Sequence, residues 1–295
     1  TAQVLLLLGS TLMVGIAGAF ELTARNKYCS LLVEEPQELA GYLTSFSVVF
    51  NVGKLVGPPI GGWLVAMAGP AWALGIDAAS YLLPIASVMF LLQPRRDLEQ
   101  RSHGDGDATL LKAWKDCGST LRGVLTLTAV LCVVNFFHPG LAPLIADQVL
   151  GPDPRDLGLF TSVLAAGSIA GGIVLQRCSA RFSRRPFLTL GCFGLITAIA
   201  QLGMAGSSSV AMSLSMAFAI GAGTAGLLSS CNLITQIGAP QVMRGRMAGL
   251  SQIAFLGGGG ISGLLAALLV MATSLSATFC LTGGNDALLS LLWIL

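Results

Sequence analysis

The sequence predicts an all-α membrane protein with nine transmembrane helices. Of its 295 residues, 54% are hydrophobic and only 10% are charged, whereas a soluble domain has about 25% charged residues. This composition leaves too little polar surface for a soluble protein of this length. The charged residues are also concentrated between long apolar runs, and each run is long enough to cross a hydrocarbon core about 30 Å thick.

The nine predicted spans divide into a group of three and a group of six. They cover residues 3–20, 41–68, 71–92, 123–146, 157–176, 186–205, 210–243, 247–271 and 276–295. Residues 186–243 contain no charge, and glycine and serine at 206–209 separate two spans there. We therefore predict three domains: the last three helices of an N-terminal half in residues 1–93, a linker in 94–122, and a six-helix half in 123–295. Within the linker, residues 110–115 (LLKAWK) are typical of a short amphipathic helix.

The distribution of basic residues predicts the orientation of the spans. When nine spans alternate across the bilayer, fourteen of the sixteen Lys and Arg residues fall on one side; Arg155 lies opposite and Lys54 lies within a span. Because cytoplasmic loops carry an excess of Lys and Arg, this side is predicted to be the cytoplasm. The 94–122 linker is therefore expected to be cytoplasmic, in a protein of the cytoplasmic (inner) membrane.

The second span contains small residues and prolines at regular spacing. Residues 53–62 read G-x3-G-P-x2-G-G, with Gly53, Gly57, Pro58, Gly61 and Gly62 as the fixed positions. Glycine and proline are unfavourable in a water-exposed helix, but a membrane helix retains them, and glycine allows a neighbouring helix to approach closely. The spacing resembles the antiporter motif in the fifth helix of major facilitator drug exporters.

The resemblance extends over the whole chain, which is similar to helices four to twelve of a major facilitator superfamily transporter. Within that superfamily it resembles the enterobactin-exporter-like and macrolide-efflux-like branch, through residues 50–51, 54–58, 69–70, 77–80 and 244–247 with 257–259. The resemblance implies a major facilitator fold of twelve helices, of which three would precede this sequence. A basic loop containing Arg181, Arg184 and Arg185 resembles a second family signature, but Ala180 replaces its aspartate.

Lys54 is the first candidate for a transport residue. Thr44, Ser47, Asn51, Lys54 and Pro58 lie three or four positions apart, which places them on one face of a helix. A charge inside the bilayer costs about 2.5–3.5 kcal/mol on insertion scales, so such a residue is a functional candidate. Three interpretations remain open: Lys54 lines a substrate or proton pathway, pairs with a carboxylate as a structural contact, or extends toward the membrane surface.

Two aspartates lie inside predicted spans. Asp77 is either a water-accessible carboxylate at the outer mouth of the pathway or a partner for Lys54. Asp286 lies roughly 17 Å into the last span at 1.5 Å per residue. The preceding residues 283–285 (Gly-Gly-Asn) predict a locally irregular helix, which is tolerated where it lines a cavity or packs against protein. The alternative is an edge position in a frayed last helix.

His138 and Asn135 are three residues apart, and Pro139 interrupts the helix beside them. A histidine that titrates near neutrality suits a proton relay. The alternative, which the sequence favours somewhat, is a neutral histidine bonded to a carbonyl that Pro139 leaves free.

Recognised catalytic motifs are absent from the sequence, including G-x-S-x-G, H-E-x-x-H and the phosphate-binding loop G-x-x-x-x-G-K-[ST]. The seven cysteines show no C-x-x-C pair and mostly lie in apolar runs, as packed hydrophobic residues do. A metal site at His103, Asp105 and Asp107 is less favoured than a solvated linker. We therefore predict no enzymatic activity, no cofactor and no metal.

These observations favour a secondary active transporter that exports a small hydrophobic or amphipathic molecule, a siderophore or a drug, by proton antiport with alternating access. The expected partners are that molecule, protons and the lipid bilayer; no nucleic acid is expected, and the protein is expected to be a monomer. An alternative is a membrane receptor or lipid-handling protein that keeps the fold but transports nothing. The membrane subunit of an ATP-driven transporter is disfavoured by the number of spans and by the lack of a long coupling helix.

Overall fold

Helices account for nearly all of the residues that the computed structural model describes, namely 6, 9–18, 36–90, 110–182, 185–238 and 244–294. These residues contain no β-strand, so the all-α class is confirmed. The chain forms two contact units, one of residues 1–50 and 74–107 and the other of residues 51–73 and 108–295. The predicted domain division at the 94–122 linker remains a prediction.

The first unit contains helix α1 (Gly9–Gly18) and helix α4 (Leu82–Phe90). Helices α2 (Pro36–Ala68) and α3 (Pro70–Ser80) each contribute residues to both units. The predicted span over residues 71–92 corresponds to the apolar segment Pro70–Phe90, in which a turn at Tyr81 separates α3 from α4. Pro84 explains the turn, because it has no N–H to bond the carbonyl of Ser80.

The second unit contains nine further helices and one π-helical turn. They are α5 (Leu110–Asp116), α6 (Ser119–Asn135), α7 (His138–Val149), α8 (Pro154–Phe182), α9 (Pro186–Ala205), α10 (Val210–Gly238), α11 (Arg244–Gln252), the π-helical turn Ile253–Gly257, α12 (Gly258–Ala272) and α13 (Leu275–Ile294). Helix α5 coincides with the short helix predicted in the linker.

Six helical segments in the described part of the chain are long and apolar enough to cross a membrane. They are Pro70–Phe90, Ser119–Val149, Pro154–Leu175, Phe187–Ala205, Val210–Cys231 and Gly249–Ala272. Two shorter apolar helices cover Gly9–Gly18 and Val52–Ala68. The ninth predicted span coincides with α13, a 20-residue helix that contains Asn285 and Asp286. The structure thus agrees with a multi-pass membrane protein, and the total of nine spans remains a prediction.

Glycines allow α8 and α10 to approach until their backbones touch. A methyl group built on Gly167 would collide with the Phe218 carbonyl, and one on Gly171 would collide with the Ala222 carbonyl. Ser168 lies between these glycines and donates its Oγ hydrogen to the Gly221 carbonyl at 3.3 Å. Membrane helices associate through such close packing because lipid offers no hydrophobic drive to bring them together.

A second close approach involves the glycine-rich part of α2 and the start of α8, both within the second unit. A methyl group on Gly62 would lie 2.5 Å from the Pro154 carbonyl oxygen, and one on Gly158 would lie 2.7 Å from the Pro58 carbonyl oxygen. Helix α2 continues through Pro58 and Pro59 without a break. At Gly53, Gly57 and Gly61 an added methyl group would meet no described atom within 4 Å.

The packing of α8 against α10 gives a direct test of this fold. Gly171→Ala should lower the free energy of unfolding by about 1–3 kcal/mol, because the added methyl group requires a backbone shift. Gly172→Ala is the matched control, since a methyl group there meets no described atom within 4 Å. Thermal unfolding of both variants in detergent measures the difference. Equal unfolding temperatures would show that α8 and α10 do not pack in this way.

Candidate functional site

The candidate site forms around a break between α6 and α7. Helix α6 ends at Asn135, residues 136–137 form a turn, and α7 begins at His138. In a continuous helix the N–H of residue 139 would bond the carbonyl of Asn135, but proline has no N–H. The break predicted at Pro139 is therefore present, and it leaves the Asn135 carbonyl without a helical donor.

Gln201 on α9 supplies the missing donor. Its Nε2 donates to the Asn135 carbonyl oxygen at 3.3 Å and to the Asn135 Oδ1 at 2.9 Å. Gln201 and Asn135 are only 0% and 1% exposed. Because a buried carbonyl without a partner is costly, this pair of hydrogen bonds stabilises the helix break inside the bundle.

Asp286 on α13 lies beside this pair and is fully buried, with 0% of its surface exposed. Its polar neighbours are the Asn135 amide and the Ser290 hydroxyl. Neither carboxylate oxygen makes a hydrogen bond to a described residue, and the Asn135 Nδ2 and Ser290 Oγ atoms also lack a partner there. The expected edge position in a frayed helix is therefore wrong. The predicted irregular helix is also wrong, because α13 continues through residues 283–285.

A glycine on α9 provides the space next to the carboxylate. A methyl group on Gly194 would collide with the Ser290 Oγ and lie 3.7 Å from the Asp286 Oδ1. Asp286 and Ser290 are four residues apart, so both point from the same face of α13. Helices α9 and α13 pack extensively along their length, and α6 completes the enclosure.

This polar group lies between two apolar clusters. One includes Leu131 and Cys132 at the end of α6, and the other begins at Phe137 and includes Phe279. Both clusters draw residues from α6 or α7 and from α9. The carboxylate therefore belongs to the interior of the helical bundle.

His138 lies at the start of α7, with 6% of its surface exposed. Its ring lies next to the Asn135 carbonyl and packs edge-on against Phe136, with 5.1 Å between ring centroids. The Nδ1 atom has no hydrogen-bond partner among the described residues. The Asn135 carbonyl oxygen accepts from Gln201 and also lies beside the His138 ring, so the predicted bond between this carbonyl and His138 remains a prediction.

An open apolar cavity of about 460 Å³ adjoins the break at Phe136, and two of its lining residues, Leu256 and Leu264, are largely exposed. Its lining comprises Phe136, Gly140, Leu141, Leu256, Gly259, Gly260, Gly263, Leu264 and Ala267. The π-helical turn 253–257 borders it, and Phe255 in that turn packs on Phe136 with 4.4 Å between ring centroids. Such π-helical turns occur frequently at functional sites.

The other predicted pathway residues lie on α2 and α3. Lys54 is an exposed residue of α2, and Asp77 is an exposed residue of α3. The side chains of Thr44, Ser47 and Asn51 lie outside the described residues, so the polar face predicted for α2 remains a prediction. The proposed interactions of Lys54 with Asp77 or Asp286 also remain predictions.

Of Arg181, Arg184 and Arg185 in the basic loop, only Arg185 has a described side chain. Arg185 is exposed and precedes α9 as its N-terminal cap residue. The side chain of Arg181 and the whole of Arg184 lie outside the described residues. The structure therefore brings together Asn135, His138 and Asp286 from the predicted set.

Sequence reasoning missed three residues of the site: Gln201, Ser290 and Gly194. Gln201 carried a usable signal, because it is the single side-chain amide of α9, in the middle of an uncharged run. An amide inside a membrane span needs a hydrogen-bond partner. Ser290 was detectable as the residue four positions after Asp286. Gly194 carried no comparable signal, because glycine is frequent throughout these spans.

The chain resembles curated transporters along much of its length. It is 25% identical over 248 residues to the multidrug efflux pump Tap of Mycolicibacterium fortuitum, a match that covers 79% of this chain and 58% of Tap. It is 29% identical over 173 residues to the enterobactin exporter EntS of Shigella flexneri, covering 53% of this chain and 38% of EntS. The corresponding match to EntS of Shigella boydii serotype 18 is 29% over 174 residues. The chain thus spans about half the length of these relatives.

The family assignment rests on a longer match. Residues 1–263 match the Major Facilitator Superfamily, in agreement with the resemblance inferred from the sequence and with the apolar helices of the structure. The relatives are named as a multidrug efflux pump and an enterobactin exporter. The chain therefore belongs to the Major Facilitator Superfamily of multi-pass membrane transporters.

Proposed function

We propose that this chain is part of a secondary active exporter that exchanges protons for a small hydrophobic or amphipathic molecule. The observation that carries the proposal is Asp286, a carboxyl group buried between three helices with no hydrogen-bonded partner among the described residues. Asp286 is the proposed proton-binding residue. Asn135 and His138, at the helix break beside it, complete the proposed proton pathway.

Ionisation of Asp286 inside the helical bundle costs free energy. An ionised carboxylate in an apolar interior is unfavourable unless it is paired or solvated, whereas the protonated acid carries no net charge. A conformation that encloses Asp286 therefore favours its protonated form, and a conformation that opens it to water favours ionisation. A difference in proton affinity between two conformations is what allows a proton gradient to drive alternating access.

The cavity supports the proposed class of substrate. Its lining side chains are apolar and carry no charge, so it suits a hydrophobic moiety. The printed names of the relatives, a multidrug efflux pump and an enterobactin exporter, agree with a drug or a siderophore. The cavity begins at Phe136 and the carboxyl group contacts the neighbouring Asn135, so substrate and proton would act on the same helix break.

Lys54, Asn51 and Asp77 are proposed to contribute to the substrate or proton pathway in the N-terminal part of the chain. A fixed positive charge on α2 would attract an anionic substrate group or favour ionisation of a nearby carboxyl group. The glycines at 53, 57, 61 and 62 with Pro58 would provide the antiporter-type motif. Residues 94–122 are proposed to lie in the cytoplasm, together with Arg181, Arg184 and Arg185, in a monomeric protein of the cytoplasmic membrane.

Asp286 gives the decisive test of proton coupling. Asp286→Asn should reduce gradient-driven transport by at least tenfold, because an amide cannot release a proton, and Asp286→Glu should retain part of it. Transport is measured with the full-length protein in vesicles under an imposed pH gradient, using ethidium and iron-free enterobactin as alternative probes. Asp147→Asn is the control, since Asp147 is an exposed carboxylate on α7.

Two outcomes would contradict the proposal. Undiminished gradient-driven transport by Asp286→Asn would remove the carboxyl group from the mechanism. Transport that persists when a protonophore collapses the gradient at constant ATP concentration would exclude proton antiport. Binding of a probe without any transport would instead support the receptor or lipid-handling alternative.

A second test concerns Lys54. Lys54→Arg should retain most of the transport because it keeps the positive charge, whereas Lys54→Met should lose it while still inserting and folding. If Lys54 were only part of a structural pair, its replacement alone would lower the free energy of unfolding by about 3–5 kcal/mol and leave the transport per folded molecule unchanged. Transport is normalised to folded protein at the membrane, and Arg155→Met serves as the control for loss of a basic residue. Normal transport by Lys54→Met would exclude Lys54 from the pathway.

A third test concerns orientation. In a background without the seven native cysteines, Gly104→Cys should react with a membrane-impermeant maleimide only after cells are permeabilised, because the distribution of basic residues predicts a cytoplasmic linker. Asp153→Cys, at the opposite end of the adjoining spans, should react in intact cells. Labelling of residue 104 in intact cells would reverse the proposed topology.

A further inference from the structure

Gln201 connects the helix break to the buried carboxyl group through Asn135. Its Nε2 lies 2.9 Å from the Asn135 Oδ1 and 3.3 Å from the Asn135 carbonyl oxygen, so one amide group donates to two acceptors of the same residue. The two contacts join α9 to the end of α6, and both residues are buried.

These two hydrogen bonds determine the orientation of the side-chain amides of Gln201 and Asn135. A backbone carbonyl only accepts hydrogen bonds, so the atom of Gln201 that faces it must be the nitrogen. The Asn135 atom within reach of the same nitrogen must then be the oxygen, because two donors would repel one another. The Asn135 Nδ2 is therefore directed away from Gln201. It is buried and lacks a hydrogen-bond partner among the described residues.

Asp286 is the acceptor that lies next to this amide. Both of its oxygens lack a partner among the described residues. An N–H donor stabilises an ionised carboxylate more than a neutral acid, because hydrogen bonds to charged groups are stronger. The orientation of the Asn135 amide thus affects how readily Asp286 gives up a proton.

We propose that Gln201 is a positioning residue of the proton site, which holds the Asn135 amide so that its Nδ2 faces Asp286 and favours the ionised carboxylate. Gln201 itself does not touch the proton. It acts through Asn135, and it does so by bonding the carbonyl that Pro139 leaves free. This inference rests on the proposed role of Asp286 as the proton-binding residue.

Few titratable side chains lie on the described helices that pack around Asp286. The titratable side chain that faces it from α6 is Cys132. On α9 the one titratable side chain, Cys192, is exposed, and so is Cys280 on α13. Residues 258–272 of α12 contain no titratable side chain. His138, at the helix break next to Asn135, is a further titratable side chain nearby. Changes in the titration of Asp286 can therefore be assigned to the Asn135 amide once Cys132 is replaced by serine and His138 by glutamine in every sample.

The experiment measures the protonation of the Asp286 carboxyl group directly. Infrared difference spectra of the full-length protein in lipid, recorded across pH, report the carbonyl band of the protonated acid. Assignment to Asp286 requires that the band be absent in Asp286→Asn. In Gln201→Met the midpoint of this band should move up by about one pH unit, a tenfold gain in proton affinity, because the donor to the carboxylate is no longer held in place.

A double-mutant cycle distinguishes positioning from a general loss of structure. In an Asn135→Leu background, replacement of Gln201 should cause no further shift, because its effect passes through the Asn135 amide. Thr197→Val is the matched control on the same helix. Thr197 is also buried, and its hydroxyl bonds the Phe193 carbonyl within α9, so this change should leave the midpoint where it is. Gln201→Leu replaces Gln201→Met if the latter does not fold, as judged by gel filtration.

The outcomes separate this inference from the proposed function. A titrating band that survives in Asp286→Asn would overturn the proton-binding role of Asp286 and this inference with it. A band that belongs to Asp286 but does not move in Gln201→Met would overturn the positioning role alone. Equal shifts with and without Asn135 would also overturn it, since Gln201 would then act independently of that amide.

Discussion

Pro139 leaves the carbonyl of Asn135 without a helical donor in a buried part of the bundle. In a membrane protein such a carbonyl must find a donor within the protein. Gln201 provides it from α9, and the same nitrogen also bonds the Asn135 side chain. Pro139 causes the helix break, and the hydrogen bonds from Gln201 connect α9 to the end of α6 and orient the Asn135 amide.

The break is the structural element shared by the two parts of the proposed mechanism. Asn135, the last residue of α6, lies beside the carboxyl group of Asp286, and Phe136, the next residue, lines the apolar cavity. The π-helical turn of residues 253–257 lies on the far side of Phe136 through the contact with Phe255. The helix break at residues 136–137 and the π-helical turn at residues 253–257 therefore meet at the cavity, while the helices around them are regular. A change in the break would alter the cavity and the carboxyl environment together.

The composition of the chain was sufficient to predict a membrane protein of helices, and Pro139 was sufficient to predict the break in the helix of Asn135. The orientation of Asp286 could not be derived in the same way. Helix α13 is apolar on nearly all sides, so periodicity does not indicate which face meets other helices. Residues 283–285 suggested an irregular helix because glycine is unfavourable in water, but close packing against α9 keeps α13 regular there: a methyl group on Gly283 would press on the Ala198 carbonyl. Gln201 is uncharged, so the cost of burying a charge, which singles out Asp286 in the sequence, does not single out Gln201.

The way Asp286 is enclosed suits reversible proton binding. Gly194 brings the α9 backbone close to α13, so the space around the carboxyl group is made by small residues and not by cations. A lysine or arginine in that space would hold the carboxylate ionised and oppose protonation. The polar groups nearby, the Asn135 amide and the Ser290 hydroxyl, carry no charge and so do not neutralise the carboxylate. The glycine contacts thus do more than pack two helices, because they enclose an acid that has no hydrogen-bond partner among the described residues.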